Sequence, residues 1–212
     1  MQVAILAYPK MTALDAIGPY EVLSLLPGAD VRWVAPEPGP QPTDHATVAL
    51  VAEHALEDVP RPEVLVVPGG EGSRALMQDE RVLDWIRAVH EESRWTTSVC
   101  TGALVLGAAG VLDGVEATTH WAFRDWLGEL GARPVAERVV ERGKIVTAAG
   151  VSAGIDMALR LVQREAGDEV AQAIQLGIEY DPEPPFDTGS PEKAPEALVD
   201  LVRQVTLEGA GR

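Results

Sequence analysis

The chain has 212 residues and a mass of 22.6 kDa, the size of one large α/β domain. Hydrophobic residues make up 46% and charged residues 24%, which excludes a disordered or fibrous chain. Seventeen basic against 33 acidic side chains give a formal charge of −16, so nucleic acid and anionic membrane surfaces are not expected as partners.

Apolar runs alternate with helical patterns along the whole chain. In chain order we predict a strand at 2–8, a helix from Thr12 to Pro27-Gly28, strands at 30–36 and 63–70, a helix at 79–90, a strand at 95–100, a helix at 101–110, two short strands within 131–149, and helices at 154–167 and 197–207. This alternation predicts an α/β fold with a mostly parallel, doubly wound sheet and helices on both faces, in one domain over 1–212.

Two proline-rich stretches interrupt the pattern. Residues 36–42 contain four prolines, which lack amide donors, so this stretch is predicted to be a loop and neither a helix nor a central strand. Residues 179–195 form a long irregular arm of the same domain. Such an arm costs little entropy to order and has no core of its own, so we expect it to lie against another surface.

The segment SVCTGA around Cys100 lies between a predicted strand and a predicted helix, with small residues at Ser98 and Gly102. This spacing is typical of a nucleophile elbow, a tight turn that lifts a reactive side chain above the sheet. A helix N-terminus stabilises a thiolate, so the pKa of Cys100 is predicted to lie below the ~8.5 of a free thiol. The alternative is an inert, buried cysteine at the end of a core strand.

Other polar or glycine positions suggest parts of a site less specifically. Gly69 and Gly70 follow a buried strand, where their amides could approach a reacting atom or simply form a turn. Asp15 lies in the first turn of a helix, where acids often serve the helix dipole. Glu21 is predicted to be a solvated surface residue. His120 either pairs with the cysteine or is structural.

No metal or cofactor is expected. The other histidines, His45, His54 and His90, show no metal-ligand spacing, and GGEGSR lacks both the Walker lysine and GxGxxG spacing. No apolar run reaches the ~20 residues that span a bilayer, and the N-terminus lacks signal-peptide features. The single cysteine excludes an intrachain disulfide. A cytoplasmic protein with a small-molecule substrate is predicted.

Six segments together resemble the ThiJ/PfpI superfamily of class I glutamine amidotransferase-like domains, and within it the isonitrile hydratase branch. They occur in the family's order: TALDAIGPYEVL, VVPGG, SVCTGALVLGAAGVLDG, ATTHW, TAAGVSAGIDMAL and EYDPEPPFDTGSP. The resemblance implies a flavodoxin-like α/β sandwich. It also implies a homodimer with active sites near the interface, and no metal or organic cofactor. We expect the first helix and the 179–195 arm to build part of that interface.

The resemblance also implies roles for particular residues. Cys100 would be the nucleophile, Asp15 the proton shuttle and Thr101 its neighbour in catalysis. Substrate and oxyanion binding would fall to Gly69, Gly70, His120, Trp121 and Val151. The implied reaction adds water to an isonitrile through a cysteine thioimidate and releases an N-substituted formamide, so the enzyme would be a hydro-lyase.

Three other functions stay open at this stage. Glyoxalase, deglycase or peptidase relatives carry a glutamate on the first helix where this chain has Asp15. Ligand-sensing halves of AraC-type regulators need two helix-turn-helix units, for which the one helix after the arm leaves no room. A redox sensor is the third, because an accessible thiol of low pKa oxidises readily.

Overall fold

The computed structural model describes residues 1–209, in which strands and helices alternate as predicted. The strands are β1 Gln2–Leu6, β2 Asp30–Ala35, β3 Gly39–Pro42, β4 Ala49–Ala52, β5 His54–Ala55, β6 Val64–Val67, β7 Trp95–Val99, β8 Glu116–Ala117, β9 Arg133–Pro134, β10 Val139–Arg142 and β11 Ile145–Ala148. The helices are α1 Ala13–Leu23, α2 Ser73–Leu76, α3 Glu80–Glu92, α4 Gly102–Ala108, α5 Arg124–Glu129, α6 Ala153–Ala166, α7 Asp168–Gly177 and α8 Glu196–Gly209.

Seven strands form one sheet in the order β10-β11-β7-β6-β1-β2-β5. All neighbours are parallel except β10, which runs antiparallel to β11. The interior strands β6 and β11, each with a neighbour on both sides, are buried along their whole length, as expected for strands covered on both faces. The predicted mostly parallel, doubly wound sheet is therefore confirmed.

Helices cover both faces because the chain winds in two directions from the middle of the sheet. From β1 it passes through α1 to β2, and from β6 through α3 to β7 on the other side. Right-handed crossovers in opposite directions put the connecting helices on opposite faces. Accordingly α1 packs on α6, whereas α3 packs on α4. The change of direction between the neighbouring strands β1 and β6 leaves a crevice at their carboxyl ends.

The packing of α1 on α6 depends on small residues that allow close approach. A Cβ at Gly18 would lie 3.1 Å from Ile155, and one at Gly154 would lie 3.2 Å from the ring of Pro19. Pro19 is tolerated inside α1 although it removes one helical hydrogen bond. The tight contact fixes α1, and with it Asp15, against the elements that carry the site.

Some local predictions differ from the structure. The first helix ends at Leu23, earlier than the predicted Pro27-Gly28. Helix α7 was not predicted; Gly167, with a φ of +86°, separates it from α6. Residues 36–42 stay outside the main sheet as predicted, but they are not wholly loop, because Gly39–Pro42 pairs with β4 in a separate two-stranded ribbon.

The arm at 179–195 contains neither a helix nor a strand and is largely exposed. Tyr180 anchors its start by donating a hydrogen bond to Asp156 at 3.2 Å. Helix α8, which follows the arm, leaves apolar side chains in solvent, with Leu201 58% and Val205 61% exposed. Within residues 1–209, no helix has the length and apolar character that a membrane crossing requires.

Candidate active site

Cys100 occupies a strained turn directly after β7. Its φ is +56°, a left-handed conformation that residues other than glycine rarely adopt. The turn is held on both sides: the Cys100 amide donates to the carbonyl of Ala148 at 3.0 Å, and the Thr119 hydroxyl donates to the Cys100 carbonyl at 2.8 Å. A Cβ at Gly102 would lie 2.0 Å from the Val67 carbonyl oxygen, so only glycine fits there. The geometry is that of the predicted elbow.

The carboxyl group of Asp15 is fully buried beside this turn. Helix α1 is positioned by the Thr12 amide, which donates to the Gly69 carbonyl at 2.9 Å. Asp15 Oδ2 accepts a hydrogen bond from the Gly69 amide at 3.0 Å. Asp15 and the Cys100 thiol lie close enough to act on each other's pKa, and Oδ1 is buried with no hydrogen-bond partner among the described residues. The first helix therefore places one carboxyl group beside Cys100.

Burial perturbs both groups of this pair. Desolvation raises the pKa of Asp15 from 3.8 to about 8, although the Gly69 amide acts in the opposite direction. Desolvation and, next, the charge of Asp15 raise the pKa of Cys100 well above its ordinary value, against a smaller lowering by the Thr101 amide. The predicted lowering of the thiol pKa is thus wrong, because burial outweighs the helix N-terminus. The pair holds at least one proton at neutral pH.

The two glycines after β6 place the acid and the hydroxyl of the site. The Gly69 amide binds Asp15, and the Gly70 amide donates to Thr101 Oγ1 at 2.9 Å. A Cβ at Gly69 would lie 2.5 Å from the Thr101 amide nitrogen and 2.9 Å from Asp15 Oδ2. The Gly70 amide, predicted as an oxyanion donor, is engaged by the Thr101 side chain, whereas the Thr101 amide acts on the Cys100 thiol and lowers its pKa.

A cavity of about 230 Å³ opens onto the sulfur. Its walls are Thr12, Gly70, Glu71, Arg74, Cys100, Thr101, His120, Phe123, Val151 and Thr206. Four of the predicted binding and catalytic residues besides Cys100 therefore meet here: Gly70, Thr101, His120 and Val151. Cys100 itself is only 6% exposed and lines this cavity.

His120 belongs to the wall of the cavity and not to a Cys–His pair. Burial lowers its pKa, so the ring is neutral at pH 7. The groups that act on the Cys100 thiol are Asp15 and Thr101, and His120 is not among them. Its Nδ1 accepts from the Ala122 amide at 3.4 Å, and its ring stacks on Trp121 with 5.6 Å between centroids. Trp121 borders a second cavity, which His120 and Val151 share.

Several residues that line the cavity of Cys100 were not predicted from the sequence. Glu71 and Arg74 directly follow the VVPGG segment, so their position after the strand was the available signal. Thr206 lies on α8, and nothing local in the sequence connects it with the cysteine. Arg203 on the same helix lies 5.5 Å from the Trp121 ring and holds α8 near the site by a cation–π contact. Among residues 1–209, no three His, Cys, Asp or Glu side chains are grouped to hold a metal ion.

Comparison with known proteins identifies relatives of this chain in sequence and in structure. The model of the DJ-1/PfpI family matches residues 1–164. The isonitrile hydratase of Pseudomonas putida is 48% identical over 96% of this chain and 89% of its own length. The crystal structure of a ThiJ/PfpI family protein from Pseudomonas syringae superposes with a TM-score of 0.95 and 37% identity, covering 99% of this chain and 87% of that one.

A regulator of Pseudomonas aeruginosa shows how the same domain is used in another class of protein. The HTH-type transcriptional regulator GbdR is 28% identical over 82% of this chain, but the match covers only 48% of the regulator. The likeness is thus confined to about half of that protein.

Proposed function

This chain belongs to the DJ-1/PfpI family, and on that premise we propose that it is an isonitrile hydratase-like hydro-lyase. It adds water to R–N≡C and releases the N-substituted formamide R–NH–CHO. The observation that carries the proposal is the buried thiol–carboxyl pair of Cys100 and Asp15, on a chain 48% identical to an isonitrile hydratase over nearly its whole length.

The first step joins the sulfur to the substrate. The terminal isonitrile carbon enters the cavity above Cys100, and Sγ forms a bond to it. The carbon takes up the proton held by the thiol–carboxyl pair, with Asp15 as the donor, which gives the thioimidate R–N=CH–S–Cys100. A carboxyl group whose pKa is about 8 is still protonated at neutral pH, so Asp15 is a competent acid there.

The second step releases the product with one molecule of water. Water adds across the C=N bond, its oxygen to carbon and a proton to nitrogen. The C–S bond then breaks, the remaining hydroxyl proton returns to the thiol–carboxyl pair, and the formamide leaves. Asp15 Oδ1 has no hydrogen-bond partner among the described residues, so it is available to pass these protons. The overall reaction consumes only the isonitrile and water, so its balance needs no cofactor.

Thr101 stabilises the sulfur when it carries negative charge. Its amide and hydroxyl both lower the pKa of Cys100, the amide more strongly. The hydroxyl is held by the Gly70 amide and by Ser73, whose Oγ donates at 3.2 Å. In this proposal Gly69 and Gly70 position Asp15 and Thr101, while His120, Trp121 and Val151 bind the rest of the substrate.

A substrate panel tests the proposal directly. We expect purified protein to convert methyl isonitrile to N-methylformamide, followed by NMR, and to leave methylglyoxal and a casein-derived peptide unchanged. The reason is that the first helix presents an aspartate to the thiol in place of the glutamate of the glyoxalase, deglycase and peptidase relatives. Turnover of methylglyoxal with no formamide produced would replace the hydratase assignment by the deglycase one.

Besides the small-molecule substrate, the proposed partner is a second copy of the chain. Helix α8 exposes Leu201 and Val205, and the arm before it lies largely in solvent, which fits surfaces that a partner covers. We therefore expect light scattering at micromolar concentration to give twice the chain mass of 22.6 kDa. A mass of one chain would contradict the homodimer. The net charge of −16 disfavours nucleic acid and anionic membrane surfaces as partners. We place the enzyme in the cytoplasm.

A further inference from the structure

We propose that Ser73 is a positioning residue for the hydration reaction, because its hydroxyl occupies the Gly70 carbonyl and so directs the hydroxyl proton of Thr101 to the Cys100 sulfur. This inference rests on the proposed function, in which Thr101 stabilises the negatively charged sulfur. Ser73 begins the short helix α2, is 1% exposed and does not line the cavity of Cys100. Its effect on the reaction must therefore pass through the groups that it contacts.

The Gly70 carbonyl oxygen faces more donors than it has lone pairs. The Ser73 amide lies 3.1 Å from this oxygen and the Ser73 hydroxyl 2.7 Å from it, while the Thr101 hydroxyl is 3.2 Å away. A carbonyl oxygen has two lone pairs. Since both donors of Ser73 lie closer than the Thr101 hydroxyl, they fill these two places, and the Thr101 hydroxyl is the donor that is left over.

The oxygen of Thr101 is fixed in the same cluster. It accepts from the Gly70 amide at 2.9 Å and from the Ser73 hydroxyl at 3.2 Å. The single proton of Ser73 is thus shared between the carbonyl, which is closer, and Thr101 Oγ1. These two donors use both lone pairs of the Thr101 hydroxyl, so what this hydroxyl still offers is its own proton.

The Cys100 sulfur is the acceptor that benefits. The Thr101 hydroxyl lowers the pKa of the Cys100 thiol, as a donor that stabilises the thiolate does. In Ser73→Ala the Gly70 carbonyl keeps the amide of residue 73 but loses its closest donor. The Thr101 hydroxyl can then turn to this carbonyl, so the backbone stays satisfied while the thiolate loses a hydrogen bond.

Two measurements test this role. We expect Ser73→Ala to lower kcat/KM for methyl isonitrile about tenfold, the usual scale of one hydrogen bond to a charged group. The pH at which iodoacetamide labels Cys100 at half its maximal rate should rise by about one unit, the same tenfold expressed as acidity. Cys100 is the single cysteine, so the label reports this thiol alone. Ser73→Thr keeps the hydroxyl and should recover most of both losses.

A double-mutant cycle shows whether Ser73 acts through Thr101. In a Thr101→Val background the hydroxyl proton is gone, so Ser73→Ala should change kcat/KM by less than about twofold there. Ser93→Ala is the matched control. It removes a buried hydroxyl, 4% exposed, that lies 3.0 Å from Thr96 Oγ1. We expect this control to retain activity within about twofold.

The outcomes separate this inference from the function on which it rests. Failure of the wild type to hydrate methyl isonitrile would overturn the function, whereas iodoacetamide labelling needs no isonitrile and still reports the effect of Ser73 on the sulfur. An unchanged labelling profile in Ser73→Ala would overturn the role of Ser73. So would a loss in Ser73→Ala that is equally large in the Thr101→Val background, or that Ser73→Thr shares in full. An equal loss in Ser93→Ala would also overturn it, because the effect would then be one of stability.

Discussion

Cys100→Ala is expected to abolish isonitrile hydration while leaving the protein folded. Cys100 is the only cysteine of the chain, and the Thr101 hydroxyl is already bonded to Gly70 and Ser73, so no other nucleophile replaces it. Alanine keeps the small size that the elbow needs. The left-handed φ of +56° costs about 1–2 kcal/mol, but the cysteine already has this conformation, so the substitution adds little to that cost.

The measurement pairs formamide production with intact mass. Wild-type protein quenched during turnover should carry one substrate mass on Cys100, and Cys100→Ala should carry none. Thermal unfolding of the variant within a few degrees of the wild type shows that the loss is chemical. Formamide production by Cys100→Ala at more than one hundredth of the wild-type rate would contradict the cysteine mechanism.

Asp15→Asn should reduce kcat/KM for isonitriles by about 10²–10⁴-fold, the usual scale of a lost general acid. The amide oxygen can still accept from the Gly69 amide, so the helix stays in place, but no exchangeable carboxyl proton is left for the substrate carbon. Glu21→Gln is the matched control, because it removes an exposed carboxyl group from the same helix. We expect it to retain activity within about twofold. Asp15→Glu tests whether a carboxyl group on a side chain one methylene longer still donates the proton to the substrate carbon.

The same variant should be more stable than the wild type in alkaline solution. The folded-state pKa of Asp15 is about 8, against an ordinary 3.8, so the unfolded chain releases this proton at lower pH than the folded one. The contribution of Asp15 to the free energy of unfolding of the wild type therefore falls as pH rises from about 4 to about 8. Asparagine does not titrate, so Tm of Asp15→Asn minus Tm of the wild type should grow over this range and vanish near pH 4. A variant less stable than the wild type at pH 9 would contradict the raised pKa.

Activity should follow the proton of the pair as well. If the reacting state holds one proton between Cys100 and Asp15, kcat/KM of the wild type should rise as pH approaches about 8 and fall when the second proton is lost. In Asp15→Asn the rise of kcat/KM near pH 8 should disappear, whereas Glu21→Gln should keep this rise. An unchanged profile in Asp15→Asn would assign that rise to another group.

Much of the fold and the centre of the site follow from local features of the sequence. Apolar runs such as 63–70 fit strands buried on both faces, and alternation with helices then limits the sheet to a doubly wound arrangement. The elbow can be recognised in the sequence because a tight turn accepts only small neighbours. A Cβ added at Gly102 would lie 2.0 Å from the Val67 carbonyl oxygen. The roles proposed for Asp15 and Thr101, by contrast, depend on the resemblance to a family.

The properties of the site were decided only by the tertiary structure, because they depend on groups far apart in the chain. Burial and Asp15 raise the pKa of Cys100, whereas the local signal, a helix N-terminus, predicts the opposite direction. The Gly70 amide is taken by Thr101, and Thr206 reaches the cavity from the last helix. Sequence periodicity reports which face of an element is apolar. It does not report how deeply a thiol is desolvated or which distant side chain is packed against it, and these determine the chemistry of this protein.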